Sequence, residues 1–163
     1  MKNIFKIIFF LSIITESYAQ TQSGEIALEK NASVMWITKA FKESEHKIEI
    51  CNSESEWKYI CKVDGKPWFG SDQGMEKPKD QLTKLTLKIE NRLIELDVTG
   101  MFNAGFLSKH QFSFRKEGDF YKLYAFFSDG AGSYTAHWLI VDGSSIREVL
   151  SNDERYFYWQ MEK

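Results

Sequence analysis

Within one stretch, Ser128-Asp129-Gly130-Ala131-Gly132-Ser133-Tyr134 and then His137, the chain carries a carboxylate, hydroxyls and an imidazole, the groups of a serine hydrolase. Nucleophilic catalysis needs Ser133, His137 and Asp129 to converge within hydrogen-bond reach. An extended chain opposes that, because residues i and i+4 of a strand lie about 13 Å apart. No Gly-x-Ser-x-Gly elbow is present either. The same residues suit recognition better. Small residues let another surface approach the backbone, so the amides of Gly130 and Gly132 stand beside the neutral donors Ser133, Tyr134 and His137. Arg147, on the neighbouring strand, adds a charged contact. Asp129, Gly130, Gly132, Ser133, Tyr134, His137 and Arg147 are therefore the candidate partner-binding residues, on a loop that would occlude a cleft. In the plainer reading the glycines only satisfy a hairpin or bulge, and His137 is a packed, hydrogen-bonded residue.

Other groups point to weaker chemistry. Asp72, Asp129, Asp142 and Asp153 sit beside glycine, serine or asparagine and could offer oxygens to calcium. Turn chemistry explains each of them, and no metal or cofactor is expected. Trp68, Phe69, Trp138 and Trp159 could line an aromatic pocket for sugars or another small envelope ligand. Cys51 and Cys61 lack the C-x-x-C spacing of a redox pair and make no zinc spacing with the histidines. In an exported chain they read as a structural disulfide across a hairpin. The sequon Asn31-Ala32-Ser33 would matter only in a eukaryotic secretory pathway.

These residues need a frame. After a polar entry from Thr21 to Gly24, Val34, Ile37, Ala40 and Phe41 recur at helical spacing, which predicts one amphipathic helix over Ser33 to Glu45. From His46 the period becomes two. Lys47 to Cys51 and Trp57 to Val63 bracket an Asn52 to Ser55 turn, and Asp64 to Pro67 makes another. Gly70 to Gln81 reads as a surface loop. Strand patterns follow around Leu85-Leu87-Ile89 and Ile94-Leu96-Val98, with Lys84, Lys88 and Arg92 along a solvated edge. Thr99 to Lys109 is a loop with exposed-looking Met101, Phe102 and Phe106. Phe112 and Phe114 mark a strand, and Phe120 to Ser128 a longer one. Ser133 to Val141 and Ile146 to Leu150 flank Asp142-Gly143, a strong hairpin signal. Ser133 to Val141 is apolar on both faces and therefore central, and Arg155 to Gln160 reads as a last aromatic strand. The expected fold is mainly β (α+β): an antiparallel sandwich or partly open barrel of about eight strands with one N-terminal helix.

The first nineteen residues have their own logic. Lys2 and Lys6 flank a short cationic start, Ile7 to Ile14 is apolar, and Ser17-Tyr18-Ala19 is a small-x-small cleavage site, the pattern of a secretory signal. The apolar run is too short for a membrane anchor. Residues 20–163 then form a single exported β-rich domain, periplasmic or secreted, with no stable membrane insertion. Across all 163 residues, 43% hydrophobic and 15% aromatic content with only two prolines excludes a disordered chain. A net charge of -2 gives no basic footprint for nucleic acid.

At Gly130-Ala131-Gly132-Ser133-Tyr134-Thr135-Ala136, followed by a strand, Asp142-Gly143 and another strand, the chain resembles the periplasmic lysozyme inhibitors of the invertebrate-type class. That resemblance implies a small exported β-sandwich whose Ser-Gly-x-x-Tyr-type loop plugs a lysozyme cleft. Exported immunity proteins share the size, the export signal and the loop. The expected function is that of a non-enzymatic inhibitor or immunity protein against a cell-wall hydrolase or toxin. The alternative is a glycan-binding or other small-ligand module of the envelope.

Overall fold

A computed structural model describes residues 21–70, 74–105, 108–128 and 130–160. The segment expected to be an export signal, Asp72, Phe106 and Asp129 lie outside these residues. Eleven strands run in chain order: β1 (Thr21–Glu29), β2 (Ala32–Ala40), β3 (Ile48–Asn52), β4 (Lys58–Val63), β5 (Lys66–Pro67), β6 (Asp80–Ile89), β7 (Arg92–Leu96), β8 (Phe112–Glu117), β9 (Phe120–Phe127), β10 (Tyr134–Val141) and β11 (Ser144–Ser151). They make three antiparallel sheets, ordered β1-β2-β6-β7, β11-β10-β9-β8 and β3-β4-β5, with no closed barrel.

The two four-stranded sheets share one core. Val34, Leu85 and Leu87 from the first meet Leu123, Ala136 and Trp138 from the second, all fully buried. Each strand supplies alternate residues to this interior, the period expected of sheets with one covered face. A smaller core of Ile60, Val63, Trp68 and Phe102 lies under the three-stranded sheet. The edges β7 and β11 approach each other and are joined by side chains rather than by a backbone ladder. Ser145 Oγ donates to the Glu95 carbonyl at 2.6 Å.

The N-terminal helix expected over Ser33 to Glu45 is not formed. Ala32–Ala40 is strand β2, paired with β1 through a Lys30-Asn31 turn and with β6 on its other side, and Glu43–Glu45 is a single 3-10 turn. Val34, Trp36, Ile37 and Thr38 are β-branched or aromatic, and their preference for a pleated surface prevails over a chance helical spacing. The supposed polar entry is β1, where Ile26 and Leu28 face the core. Among the described residues, the one helical segment longer than a single turn is the seven-residue 3-10 helix Glu154–Gln160. It lies at the opposite end of the chain and replaces the expected last strand. No helix among the described residues is long and apolar enough to cross a membrane.

Two further expectations fail for reasons of pairing. Met101 and Phe102 are buried, because the segment after β7 runs back along β6: Leu82 N–H donates to the Met101 carbonyl and Asn103 N–H to that of Asp80. Lys84 and Lys88 do not lie on an edge, since β6 sits between β2 and β7, and they are solvated across its outer face instead.

Candidate functional site

Gly130–Gly132 is one 3-10 turn, entered through positive φ at Ser128 (63°) and Gly130 (54°). Gly130 and Ala131 are exposed, while Gly132 is buried. Ser133 is partly exposed, but its amide and its hydroxyl both donate to the Gly130 carbonyl, at 3.2 and 2.8 Å. Both donors of Ser133 are thus used within the corner.

Tyr134, expected to reach a partner, is fully buried. Its ring lies between Phe69 and Phe127, with centroids 5.8 and 5.3 Å away, and its hydroxyl donates to the Phe102 carbonyl at 2.7 Å. Burial pushes the phenol well above its ordinary range. Tyr134 faces the core because β10 is central and this parity points between the sheets. A Tyr134→Ala change therefore probes packing, not recognition.

His137 is buried on the other face of β10, beneath the 3-10 helix Glu154–Gln160. Its Nε2 lies 3.0 Å from the Tyr156 carbonyl, which can only accept, so Nε2 carries the proton. Rings of Tyr124, Tyr156 and Tyr158 surround it. Burial holds its pKa down to about 4, so the imidazole is neutral near pH 7. Ser133 and His137 thus bond to different carbonyls and form no nucleophile–base pair.

Arg147 is mostly buried and serves the seam between the sheets. It donates to the Thr99 carbonyl at 2.8 Å and pairs with the Asp97 carboxylate at 3.2 Å. Burial alone would raise the Asp97 carboxyl, but Thr99 and Arg147 outweigh it and hold the group below its usual range. Tyr134 and His137 are buried and Arg147 is partly buried, each bonded to a segment distant in sequence.

The aromatic pocket is not assembled. Trp138 and Trp159 are fully buried, one between the sheets and the other on the inner side of the 3-10 helix it belongs to. Their indole N–H groups donate to the Asp97 carbonyl and to Thr135 Oγ1. Trp68 is almost covered within the smaller core. Asp142 lies in its hairpin turn at positive φ, and Asp153 pairs with Arg155, which holds its carboxyl down to about 2. Among the described residues no group of three or more His, Cys, Asp or Glu side chains could hold a metal ion.

The surface that stands out is the β3–β4 hairpin. Cys51 and Cys61 are joined in a disulfide, with Cα atoms 5.7 Å apart. The pairs Ile50↔Ile60 and Cys51↔Tyr59 are consecutive, so they face opposite sides. Residues 54–59 are exposed without a break. Trp57 is 77% exposed and Ile50 56%, with Tyr59 and Met75 also open to solvent. Ile60 N–H donates to the Gly74 carbonyl at 2.7 Å, which ties the 74–79 segment and Met75 to the hairpin.

The chain matches no protein-family model, no curated protein and no solved structure. Its function has to be argued from its own surface. The hairpin ridge escaped the sequence reading because Trp57 looked like the first residue of a strand. A signal was there: it follows Glu54-Ser55-Glu56 and precedes Lys58, so a large aromatic sits inside a polar turn.

Proposed function

We propose that this protein works outside the reducing cytoplasm as a non-enzymatic binding protein that wedges the stapled β3–β4 hairpin into a concave surface of another protein. The observation that carries the reading is Trp57, held almost free of contacts at the end of a disulfide-closed hairpin. Buried aromatics stabilise a fold, but an exposed tryptophan contributes little to folding and is the residue type most enriched among binding hot spots. Ile50 and Tyr59 lie on opposite sides of the hairpin, so the ridge offers apolar contacts on both flanks. Such a shape suits a cleft rather than a flat face. The disulfide limits the entropy lost on docking.

The narrower form of the proposal is an inhibitor or immunity protein for a cell-wall-degrading enzyme or toxin, in the periplasm or secreted. The export signal, the disulfide and the resemblance around Gly130 to Ala136 support that form. Exposed Gly130 and Ala131 leave the loop a role as a secondary contact. Assay of the secreted, disulfide-intact protein against a panel of purified peptidoglycan hydrolases, by clearing of a cell-wall suspension, tests it. Inhibition is expected, and Trp57→Ala should weaken it by about tenfold or more without lowering stability. Inhibition by Trp57→Ala equal to wild type would remove the hairpin from the interface. A panel with no inhibited enzyme would count against the narrower form.

A further inference from the structure

The end of the sandwich marked by the β6–β7, β8–β9 and β10–β11 turns opens around a cleft of about 270 Å³. Its apolar lining comes from Ile89, Ile94 and Ile140, which close the core at this end and belong to both large sheets. Tyr121 forms one wall, with its ring stacked on Phe114 at 5.3 Å and the Lys116 ammonium 5.7 Å from its centroid. Around this apolar base stand two cations, Arg92 and Lys116, and three carboxylates, Glu90, Asp119 and Asp142.

The ion pair found beside the cleft joins Lys122 to Glu117, and none of these five charges makes an ion pair among the described residues. A simple anion entering here would meet three carboxylates, and a simple cation two fixed positive charges. A molecule carrying both signs a few ångströms apart can satisfy each set at once. The volume lies just below the usual range of drug-sized sites, so the ligand is small.

We propose that this cleft binds a small zwitterion, an amino acid or short peptide with both ends free. Its carboxylate faces Arg92 or Lys116 and its ammonium faces Glu90, Asp119 or Asp142. The site lies on different residues from the β3–β4 ridge and does not depend on the inhibitory reading. Contacts to solvent-exposed charges are individually weak, so the dissociation constant should be about millimolar.

Titration of the isotope-labelled, disulfide-intact protein with alanylalanine, followed by amide chemical shifts, tests the proposal. Saturable shifts are expected at Gly118, Tyr121 and Gly143. The N-acetylated and C-amidated dipeptides should each bind at least about fivefold more weakly, because each lacks one charge. Arg92→Gln and Asp119→Asn, both solvent-facing changes, should weaken the free dipeptide similarly, while Trp57→Ala should bind it like wild type. The proposal is overturned if these amides do not shift at concentrations of about 50 mM, if the capped dipeptides bind as well as the free one, or if both cleft variants keep full affinity.

Discussion

At the scale of single residues, burial decides role. His137 is a neutral donor to the Tyr156 carbonyl because its ring is enclosed, and its pKa of about 4 lies below the ordinary value near 6.5. Below pH 6.5 the unfolded chain therefore takes up a proton that the folded one refuses. The resulting loss of stability grows as pH falls to about 4 and levels off below it. A span of this size corresponds to about 3 kcal/mol. His137→Gln retains a neutral donor without the titration. Urea denaturation at pH 7 and pH 4.5 should show wild type losing about 2 to 3 kcal/mol more than this variant. Equal losses would mean that the ring is hydrated. Gly70 makes a second residue-scale point: it holds φ +92°, and a Cβ there would come within 3.0 Å of Asn103 Cβ. Asn103 in turn bonds to the Gly70 carbonyl and the Lys79 amide, locking two loops together.

At the scale of elements, the β3–β4 hairpin is the part least supported by the main core. It rests on the smaller cluster of Ile60, Val63, Trp68 and Phe102, and the disulfide closes its ten-residue separation. Chain-entropy reasoning gives the crosslink about 2 to 3 kcal/mol. Cys51→Ser with Cys61→Ser should lower the free energy of unfolding by that amount, read from denaturant midpoints in the absence of reductant. No change would show that the unfolded hairpin is already restricted. The base of the hairpin has a second fastening. His46 stacks on Phe41 at 4.5 Å and its Nδ1 lies 2.7 Å from Asp64 Oδ2, while the Lys47 amide donates to Oδ1 of the same carboxylate. Those bonds, the one to His46 foremost, hold Asp64 below the usual carboxylate range.

At the scale of the whole molecule, two open sheets are held together by core packing and by a side-chain seam. Arg147 is central to that seam, reaching the carbonyls of Asp97 and Thr99 and the Asp97 carboxylate from β11. Arg147→Met keeps the apolar stem but leaves those acceptors without their charged donor. It should cost about 2 to 3 kcal/mol in thermal or chemical unfolding, as hydrogen bonds to charged groups do. A loss below about 0.5 kcal/mol would assign the seam to packing alone. The outer face of the second sheet is closed differently, by the 3-10 helix. Its Trp159 N–H donates to Thr135 Oγ1, and Thr135 donates to the Ala125 carbonyl at 2.8 Å, so the cover is bonded to β10 and through Thr135 to β9.

What the sequence determined by itself was local. Alternation of apolar residues located most strands after residue 46, Asp142-Gly143 set a hairpin, and two cysteines ten residues apart pointed to the disulfide, because period, turn preference and crosslinking all act over a few neighbours. What only the tertiary structure decided was which faces are covered. Ala32–Ala40 became a strand because β1 and β6 stood on either side of it, Tyr134 turned inward because β10 is central, and Trp57 stayed outside because no element among the described residues packs over the hairpin end. Burial depends on segments far apart in the chain, and no local pattern encodes which of them will meet.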